Sequence, residues 1–334
     1  MKSPTLAAPG PGGRAAAVWS HPWLRFALRR TRRLLLGLWV LVTASFLMIH
    51  LVPGDPVRAA LGPTAPADLV QATKEELGLL DPLWQQYARF LGRLLHGDLG
   101  VSITSRLPVG EMIGQRLPAT VQLAVAAFVL ALVVAVPVGV TMAVITRRGK
   151  GRRTELAVTG TSVVLSAIPD FLLAVGLVYL LAVQTRIFPV AGLDGPGSYV
   201  LPTLALAIGP AAVLSRIVRV EMLAVMEADY IRTARAKRLT PVRVQLVHAL
   251  PNAVTASLTL GGMLLSSLVA GTVLVENVFA WPGLGSTIVS SIVAKDYPLV
   301  QGTVLVYGVG VLLVNTLVDV LLALLDPRST IGAT

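Results

Sequence analysis

Few residues in this chain could carry out covalent or metal chemistry. The sequence has no cysteine, which excludes disulfides, thiolate metal sites and a cysteine nucleophile. Its four histidines lie in distant segments without an i, i+4 pair, so no metal site is predicted: His21, His50, His96 and His248. It also lacks a G-x-x-x-x-G-K-[ST] phosphate-binding loop. We therefore predict no catalytic site and no cofactor in this chain. If the protein uses ATP, we expect another chain to hydrolyse it.

Two acidic residues inside long apolar runs are the chemically informative ones. Asp170 and Asp319 each fall where a charge costs about 2.5 to 3.5 kcal/mol on membrane-insertion scales. Asp170 follows Pro169, which favours a hydrogen bond at a helix break over a role in transport. Asp319 lies near the end of the last run, close to Asn315, and we expect it to pair with a neighbouring helix. Glu276, at the outer edge of another run, is expected to be solvated.

The composition is that of a membrane-spanning protein. Of 334 residues, 54% are hydrophobic and 13% are charged, against roughly a quarter charged in soluble proteins. Proline and glycine predict breaks in some of the apolar runs, at residues 137–139, 168–170 and 209–210. Six runs are long enough to cross a bilayer as helices: 34–51, 118–145, 156–183, 200–225, 253–275 and 299–325. The predicted fold class is an all-α integral membrane protein with six transmembrane helices.

The distribution of charge predicts the orientation of these helices. The net charge of +11 is concentrated before residue 34, in residues 146–154 and in residues 227–252, whereas residues 53–117 are nearly balanced. Basic segments therefore alternate with the crossings, as expected if they stay in the cytoplasm. We predict that both termini are cytoplasmic and that residues 53–117 are external. This pattern favours a membrane surface over nucleic acid as the partner of the positive charge.

The chain divides into four predicted regions. The external segment carries helical periodicity over residues 73–80 and 82–95, and residues 1–20 are expected to be disordered. The regions are a cytoplasmic basic tail (1–33), the first transmembrane helix with the external segment (34–116), a five-helix core (117–326) and a cytoplasmic C-terminal tail (327–334).

A polar, basic connection, residues 227–252, organises the core. Arg232, Arg235 and Arg238 recur every three residues while Ile231 and Ala234 lie off that row, which predicts an amphipathic helix over 228–237. Such a connection could be a solvated loop that only fixes orientation. We favour a docking element for a cytoplasmic partner, because orientation requires no defined helices.

A second helix is predicted to begin directly after the first one. Thr240 can act as its N-cap, Pro241 suits its first position, and Leu239 can pack on Val244 across the cap. The connection is therefore predicted to be a helix, a turn and another helix.

Residues 230–236 (YIRTARA) and 248–252 (HALPN) resemble the cytoplasmic loop motif of ABC importer permeases. Residues 77–102, 271–285, 296–298 and 326–328 are similar to segments of the dipeptide, oligopeptide and nickel subfamily. The resemblance covers most of the chain after residue 51, in several blocks that occur in register.

The resemblance implies a type I ABC importer permease fold, N-in and C-in, embedded in the lipid of the cytoplasmic membrane. The implied partners are a second permease subunit, two ATPase subunits and an extracytoplasmic substrate-binding protein. The coupling loop would be residues 227–250, in which the contact residues would be Asp229, Tyr230, Arg232, Thr233, Ala234, Arg235, Ala236, Arg238 and Leu239.

The resemblance also implies the class of substrate. A di- or oligopeptide is expected, while nickel chelates, glutathione, opines and sugars stay open. A proton-coupled transporter or a membrane scaffold are the alternatives from other classes. Asp170, Asn315 and Asp319 are the candidate intramembrane polar sites for any of them.

Arg238 departs from the family pattern, which usually has glycine at that position. Either Arg238 adopts the left-handed conformation at a cost of about 1–2 kcal/mol, or the first helix ends differently and Thr240 and Pro241 set the turn. The second interpretation is favoured here, because the cap residues already specify the next helix start.

Overall fold

The computed structural model describes residues 22–51, 55–62, 64–76, 78–147 and 151–325. The segment expected to be disordered, 1–20, and the predicted C-terminal tail, 327–334, lie outside these residues. Residues 22–33 of the predicted basic tail are helical, so the first helix begins earlier than the predicted residue 34. Within the described ranges the protein is helical, and its only bridge of β type joins Val101 to Pro108. The predicted all-helical class is confirmed.

The helices are named here in chain order. The first four are α1 (Pro22–Leu51), α2 (Pro56–Leu61), α3 (Ala67–Glu76) and α4 (Leu83–Leu95). The next four are α5 (Val109–Thr146), α6 (Arg152–Ala167), α7 (Asp170–Leu177, extended by a π-helix Val178–Gln184) and α8 (Val200–Met226). The last four are α9 (Asp229–Ala236), α10 (Leu250–Val278), α11 (Leu284–Val293) and α12 (Tyr297–Leu325).

Five of the six predicted apolar runs each fall on a single helix, and the run 156–183 is divided between α6 and α7. By length and composition, four segments of the described chain could each cross a membrane: Phe26–Leu51, Val109–Thr146, Pro196–Met226 and Tyr297–Leu324. A fifth crossing is available if α6 and α7 act as one span. Helix α10 is 29 residues long, and its second half, Ser267–Val278, is apolar.

The third predicted crossing is broken rather than continuous. Ile168 and Pro169 have extended backbones, with ψ of 123° and 139°, and α6 meets α7 at an angle of 97°. Proline disfavours a helical conformation for the residue before it, which accounts for the extended Ile168. The break predicted at 168–170 is thus present inside the predicted crossing 156–183.

The other two predicted breaks are wrong. Pro137 lies inside α5 and Pro210 inside α8, and both helices run through these positions. Helices α5 and α8 pack along each other over much of their length. A Cβ on Gly139 would lie only 2.7 Å from the Ser215 carbonyl oxygen, so glycine permits this close approach. Such packing in a bundle tolerates proline that an isolated helix would not.

The core of the bundle lies where α5, α8 and α10 meet. Small and apolar residues of α5 and α8, such as Ala127 and Ala205, pack there against Leu268, Phe279 and Trp281. Small residues allow the helix axes to approach closely. Helix α1 joins the bundle through α12, where Ser45 and Gln301 exchange side-chain to backbone hydrogen bonds of 3.2 and 3.1 Å.

The external segment differs from its prediction in one helix. The helix expected over 73–80 occupies Ala67–Glu76 instead, and residues 78–80 form a turn in which Gly78 has a φ of +65°. A positive φ ends a helix at little cost only when the residue is glycine. The second helix, expected over 82–95, is present as α4, and its Phe90 packs on Phe46 of α1 with ring centroids 5.8 Å apart.

Candidate functional site

The basic connection contains the predicted amphipathic helix, which is α9. Ile231 is fully buried and Ala234 is nearly so, and both pack on Met222 and Met226 of α8 and on Ala143 of α5. The same cluster includes Val244, Ala249 and Ala253 beyond the turn. The apolar face of α9 therefore rests on the ends of the long helices.

The opposite face of α9 is open to solvent. Arg232 and Asp229 form an i, i+3 ion pair of 3.3 Å, with side chains 73% and 95% exposed. An ion pair this exposed contributes about 0–1 kcal/mol, so it leaves both residues free to contact a partner. The other exposed members of the predicted coupling set are Tyr230, Thr233, Ala236 and Arg238.

Arg235 differs from the other two arginines of its row. It is half-buried and lies 3.5 Å from the Met226 carbonyl oxygen, to which Arg147 also donates at 3.5 Å. The last carbonyls of a helix lack intrahelical partners and carry a partial negative charge. Arg235 and Arg147 thus cap the C-terminus of α8, and Arg235 ties the connection to the bundle.

The interpretation favoured for Arg238 is wrong. Its φ is +55°, so this arginine does adopt the left-handed conformation in which the family usually has glycine. The cause is the end of α9, where the Lys237 amide donates to Thr233 and the Arg238 amide to Arg235. These bonds close the helix and turn the chain before Thr240 is reached.

The second helix of the connection begins where it was predicted to begin. Thr240 is at the N-cap with an extended backbone and Pro241 occupies the first position, but the Thr240 side chain makes no capping bond. Leu239 packs on the cluster that includes Val244, as predicted. The α-helical turn Pro241–Arg243 continues as a π-helix, Val244–Ala249, into α10.

A polar clamp joins three helices near the connection. Arg219 of α8 donates to Glu155 of α6 at 2.5 Å and to Thr146 of α5 at 3.1 Å. Arg219 is not among the residues predicted from the sequence, although a charge inside the predicted crossing 200–225 is a signal that could have identified it. The clamp holds the ends of α5, α6 and α8 together beside α9.

The predicted intramembrane residues have different surroundings. Asp319 forms an ion pair with Arg30 of α1, which confirms that it pairs with a neighbouring helix. Asn315 lies four residues earlier on the same face of α12 and is half-buried. Asp170 is the first residue of α7 after the break, and within the described residues its carboxylate has no hydrogen-bond or ion-pair partner, so the expected hydrogen bond at the helix break is wrong.

Glu276 is buried, and the expectation that it is solvated is wrong. Its carboxylate accepts hydrogen bonds from Thr120 Oγ1 of α5 at 2.7 Å and from the Ser286 amide at 3.1 Å. Thr120 in turn accepts a bond from the Leu284 amide at 2.7 Å. The loop between α10 and α11 folds back over the end of α10, so a residue at the end of an apolar run is enclosed.

The external segment is tied to the core by a second buried carboxylate. Asp296 accepts hydrogen bonds from the Ser102 hydroxyl and from the amides of Ile103 and Thr104, the last two at 3.2 and 3.3 Å. Asp296 directly precedes α12, so these bonds fasten residues 102–104 to the junction of α11 and α12.

Asp55 organises the start of the external segment. It caps α2 through bonds to the Val57 and Arg58 amides and forms an ion pair with Lys74 of α3 at 2.6 Å. Slight burial raises the pKa of the Asp55 carboxyl, but the Lys74 and amide hydrogen bonds outweigh it and hold the pKa below its ordinary value.

These features define a class of protein before any relative is considered. A bundle of apolar helices carries buried polar clamps, and a short amphipathic helix lies across the helix ends at one side. This is the arrangement of a polytopic membrane protein with a short helix lying across one end of its bundle.

Comparison with known proteins identifies the family. Residues 135–331 match the binding-protein-dependent transport system inner membrane component, and residues 23–124 match the N-terminal part of the membrane component of such systems. The chain belongs to this family of ABC transporter permeases of the inner membrane, which confirms the resemblance noted in the sequence.

Curated relatives match over almost their whole length. The chain is 35% identical over 305 residues to the glutathione transport system permease protein GsiC of Escherichia coli (strain K12), and 37% identical to GsiC of Salmonella paratyphi A. Each match spans 91% of this chain and 98% of the relative. An inward-facing structure of the MetNI methionine ABC transporter has a similar fold, with a TM-score of 0.55 at 19% identity over 64% of this chain and 96% of that one.

Proposed function

We propose that this chain is one of two permease subunits of a type I ABC importer, and that α9 transmits the work of separate ATPase subunits. The seating of α9 carries the proposal: its apolar face is buried on α5 and α8, while its polar face is exposed. A substrate-binding protein would deliver the solute on the far side of the membrane. Residues 227–250 form the coupling loop in this proposal, and the second permease is a different chain.

Breaking α9 tests the coupling role. Proline at Ala234 removes a hydrogen bond in the helix interior and clashes with the preceding turn, at a cost of about 3 kcal/mol or more. Serine at the same position keeps the backbone hydrogen bond that proline removes, and Ala234→Ser serves as the matched control. In proteoliposomes with the ATPases and binding protein, Ala234→Pro should abolish ATP-driven uptake, whereas Ala234→Ser should retain it. Normal uptake by Ala234→Pro would refute the coupling role.

The proposed topology has six crossings with both termini in the cytoplasm. Because the chain has no cysteine, single cysteines report the sidedness directly. Ala72, on α3, and Thr154, on α6, are both exposed, whereas Ser102 is buried and would label poorly from either side. An impermeant maleimide should label Ala72→Cys in intact cells and Thr154→Cys only after permeabilisation. Equal labelling of both would contradict this topology.

The substrate class that we propose is a short peptide, with glutathione as the first candidate. The similarity to permeases named for glutathione transport, over 98% of their length, supports this choice. Uptake of labelled glutathione, a dipeptide and a nickel chelate by the assembled complex would rank the candidates. Uptake that persists with a protonophore and stops without ATP would support an ABC importer, and the reverse result would indicate a proton-coupled transporter.

A further inference from the structure

Two half-buried charged side chains without partners among the described residues lie along one face of α8. Asp170, at the break between α6 and α7, has neither a hydrogen bond nor an ion pair among the described residues, and the same is true of Arg216 of α8. The Arg216 Nε atom is buried without a hydrogen-bond partner. A buried charge in a membrane protein is costly unless it is paired or serves a ligand. Two other arginines of the long helices do form ion pairs: Arg30 with Asp319, and Arg219 with Glu155.

Two glycines make room for the Asp170 carboxylate. A Cβ built on Gly209 of α8 would lie 3.5 Å from Oδ1, and one on Gly271 of α10 would lie 2.9 Å from Oδ2. The carboxylate is therefore held between α8 and α10 by van der Waals contact alone. Its position at a helix break leaves it half-buried.

The two charges are aligned. Gly209, against which Asp170 lies, and Arg216 are seven residues apart on α8, so they share a face of the helix, two turns or roughly 10.5 Å apart along its axis. Helical side chains lean toward the N-terminus, which tilts Arg216 toward Gly209. The two side chains nevertheless form no ion pair, so a gap separates an anion from a cation.

We propose that Asp170 and Arg216 bind the two ends of a short zwitterionic peptide on its way through the permease. Asp170 accepts hydrogen bonds from the terminal ammonium group, and the Arg216 guanidinium binds the terminal carboxylate. An extended peptide of two or three residues spans at most about 7–11 Å, which suits a gap shorter than the 10.5 Å axial separation. This inference rests on the proposed transport function and names the intramembrane contacts for its substrate.

The chemistry of the gap favours this class of ligand. Arginine presents a fork of donors that matches a carboxylate, and Asp170 offers only acceptors to an ammonium group. A metal chelate or a sugar supplies no such pair of opposite charges. A solute without both charges would leave one buried charge uncompensated, so the site selects for zwitterions.

A chemical double-mutant cycle in the complete complex tests the assignment. The complex, with its binding protein, would import trialanine, N-acetyl-trialanine and trialanine amide, and Asp170→Asn and Arg216→Gln would be compared with the wild type. Each variant should lower trialanine uptake roughly tenfold, the usual scale for losing a hydrogen bond to a charged group. Acetylation removes the ammonium group that Asp170 would bind, so Asp170→Asn should lower the uptake of N-acetyl-trialanine little further. Amidation removes the carboxylate that Arg216 would bind, so Arg216→Gln should lower the uptake of trialanine amide little further. The binding protein is the same throughout, so its own preference cancels.

Two glycine variants refine the test of the Asp170 position. Gly271→Ala places a methyl group against the carboxylate and should reproduce the Asp170→Asn defect. Gly261→Ala, on the same helix, meets only a Leu214 methyl group at 3.4 Å and should transport normally. Equal uptake by both glycine variants would contradict a role for the carboxylate position.

A cysteine reporter tests binding without relying on transport. Val213 lies within one turn of both Gly209 and Arg216, whereas Ile208 faces the apolar space between α6 and α8. In the assembled complex, millimolar trialanine should slow the modification of Val213→Cys by a charged methanethiosulfonate and leave Ile208→Cys unchanged. Absence of protection would overturn the site.

The outcomes separate the site from the transport function. If the wild type imports peptides and both charge variants import all three peptides equally well, the site is wrong and the proposed function stands. If the variants lose the second permease subunit on purification and affect all three peptides alike, the charges pair between subunits and the site is wrong. A wild-type complex that imports no peptide overturns the peptide function and the site with it.

Discussion

Thr120 and Glu276, 156 positions apart in the chain, are joined by a buried hydrogen bond of 2.7 Å between Thr120 Oγ1 and Glu276 Oε1. Through it the turn after α10 is fastened to α5, because Thr120 also accepts from Leu284 and Glu276 also accepts from Ser286. Trp281, fully buried in the same turn, donates to the Ala119 carbonyl oxygen at 3.1 Å. The turn is thus held by a connected set of bonds to a single helix.

Removal of the Glu276 carboxylate should destabilise this region. Glu276→Ala leaves the Thr120 hydroxyl and the Ser286 amide without their acceptor, at about 1–3 kcal/mol for each buried donor. Glu276→Gln keeps one acceptor oxygen and should lose less. Thermal unfolding in detergent would measure the effect, with Asn277→Ala, at an exposed neighbour, as the control. Equal melting temperatures for Glu276→Ala and Asn277→Ala would contradict the role of the network.

The ion pair between Arg30 and Asp319 should hold α1 on α12. The two side chains are 22% and 33% exposed, so breaking the pair should cost less than the 3–5 kcal/mol of a fully buried one. We expect Asp319→Ala and Arg30→Ala each to lower stability, with a coupling energy of about 0.5–3 kcal/mol in a double-mutant cycle. The exchange Arg30→Asp with Asp319→Arg should recover part of the loss. Strictly additive single variants would show that the pair contributes nothing.

The sequence predicted the elements whose signal is local. Apolar runs gave the long helices, and the row of arginines opposite Ile231 and Ala234 gave α9 almost to the residue. The bonds made by distant partners could not be read from the chain. Glu276 looked solvated because it ends an apolar run, yet the turn after it folds back and buries it.

Proline alone did not predict where a long helix breaks, because the outcome depends on how that helix packs against its neighbours. At Pro169 the chain bends by 97° between α6 and α7, whereas α5 and α8 continue through Pro137 and Pro210. The residues around the three prolines do not distinguish these outcomes. The close packing of α5 on α8 decides the outcome for the latter two, and this is a property of the fold. The roles of the coupling residues and of Asp170 stay predictions.

The Asp55 cap should give the external segment a pH-dependent stability. The pKa of Asp55 is lower in the folded protein than its ordinary value of about 3.9. Its contribution to stability is therefore fully present above that ordinary value and is lost as the pH falls through the lower, folded pKa. A fluorophore on Ala72→Cys, on α3, should report loosening of the segment in that acidic window. Asp55→Asn should remove the pH dependence, and an unchanged titration in this variant would assign it to another group.

Arg238 should be a position where glycine improves the local structure. Its φ of +55° costs a residue with a side chain about 1–2 kcal/mol relative to glycine. Arg238→Gly should therefore slow hydrogen exchange of the Lys237 and Arg238 amides, which close the end of α9, and should leave transport close to wild type. The matched control is Lys237→Gly, at a position with a φ of −73°, where glycine relieves no strain and exchange should be faster.

The same pair of variants distinguishes strain from docking at Arg238. The Arg238 side chain is exposed and has no ion pair among the described residues, so it is free to contact an acidic surface of an ATPase subunit. If it makes such a contact, Arg238→Gly would lower transport while hydrogen exchange at the end of α9 still slows, and a higher ATPase concentration would restore uptake. If only the backbone conformation at residue 238 matters, uptake should follow the stability of the end of α9 in both Arg238→Gly and Lys237→Gly. A higher ATPase concentration should then leave the uptake of both variants unchanged.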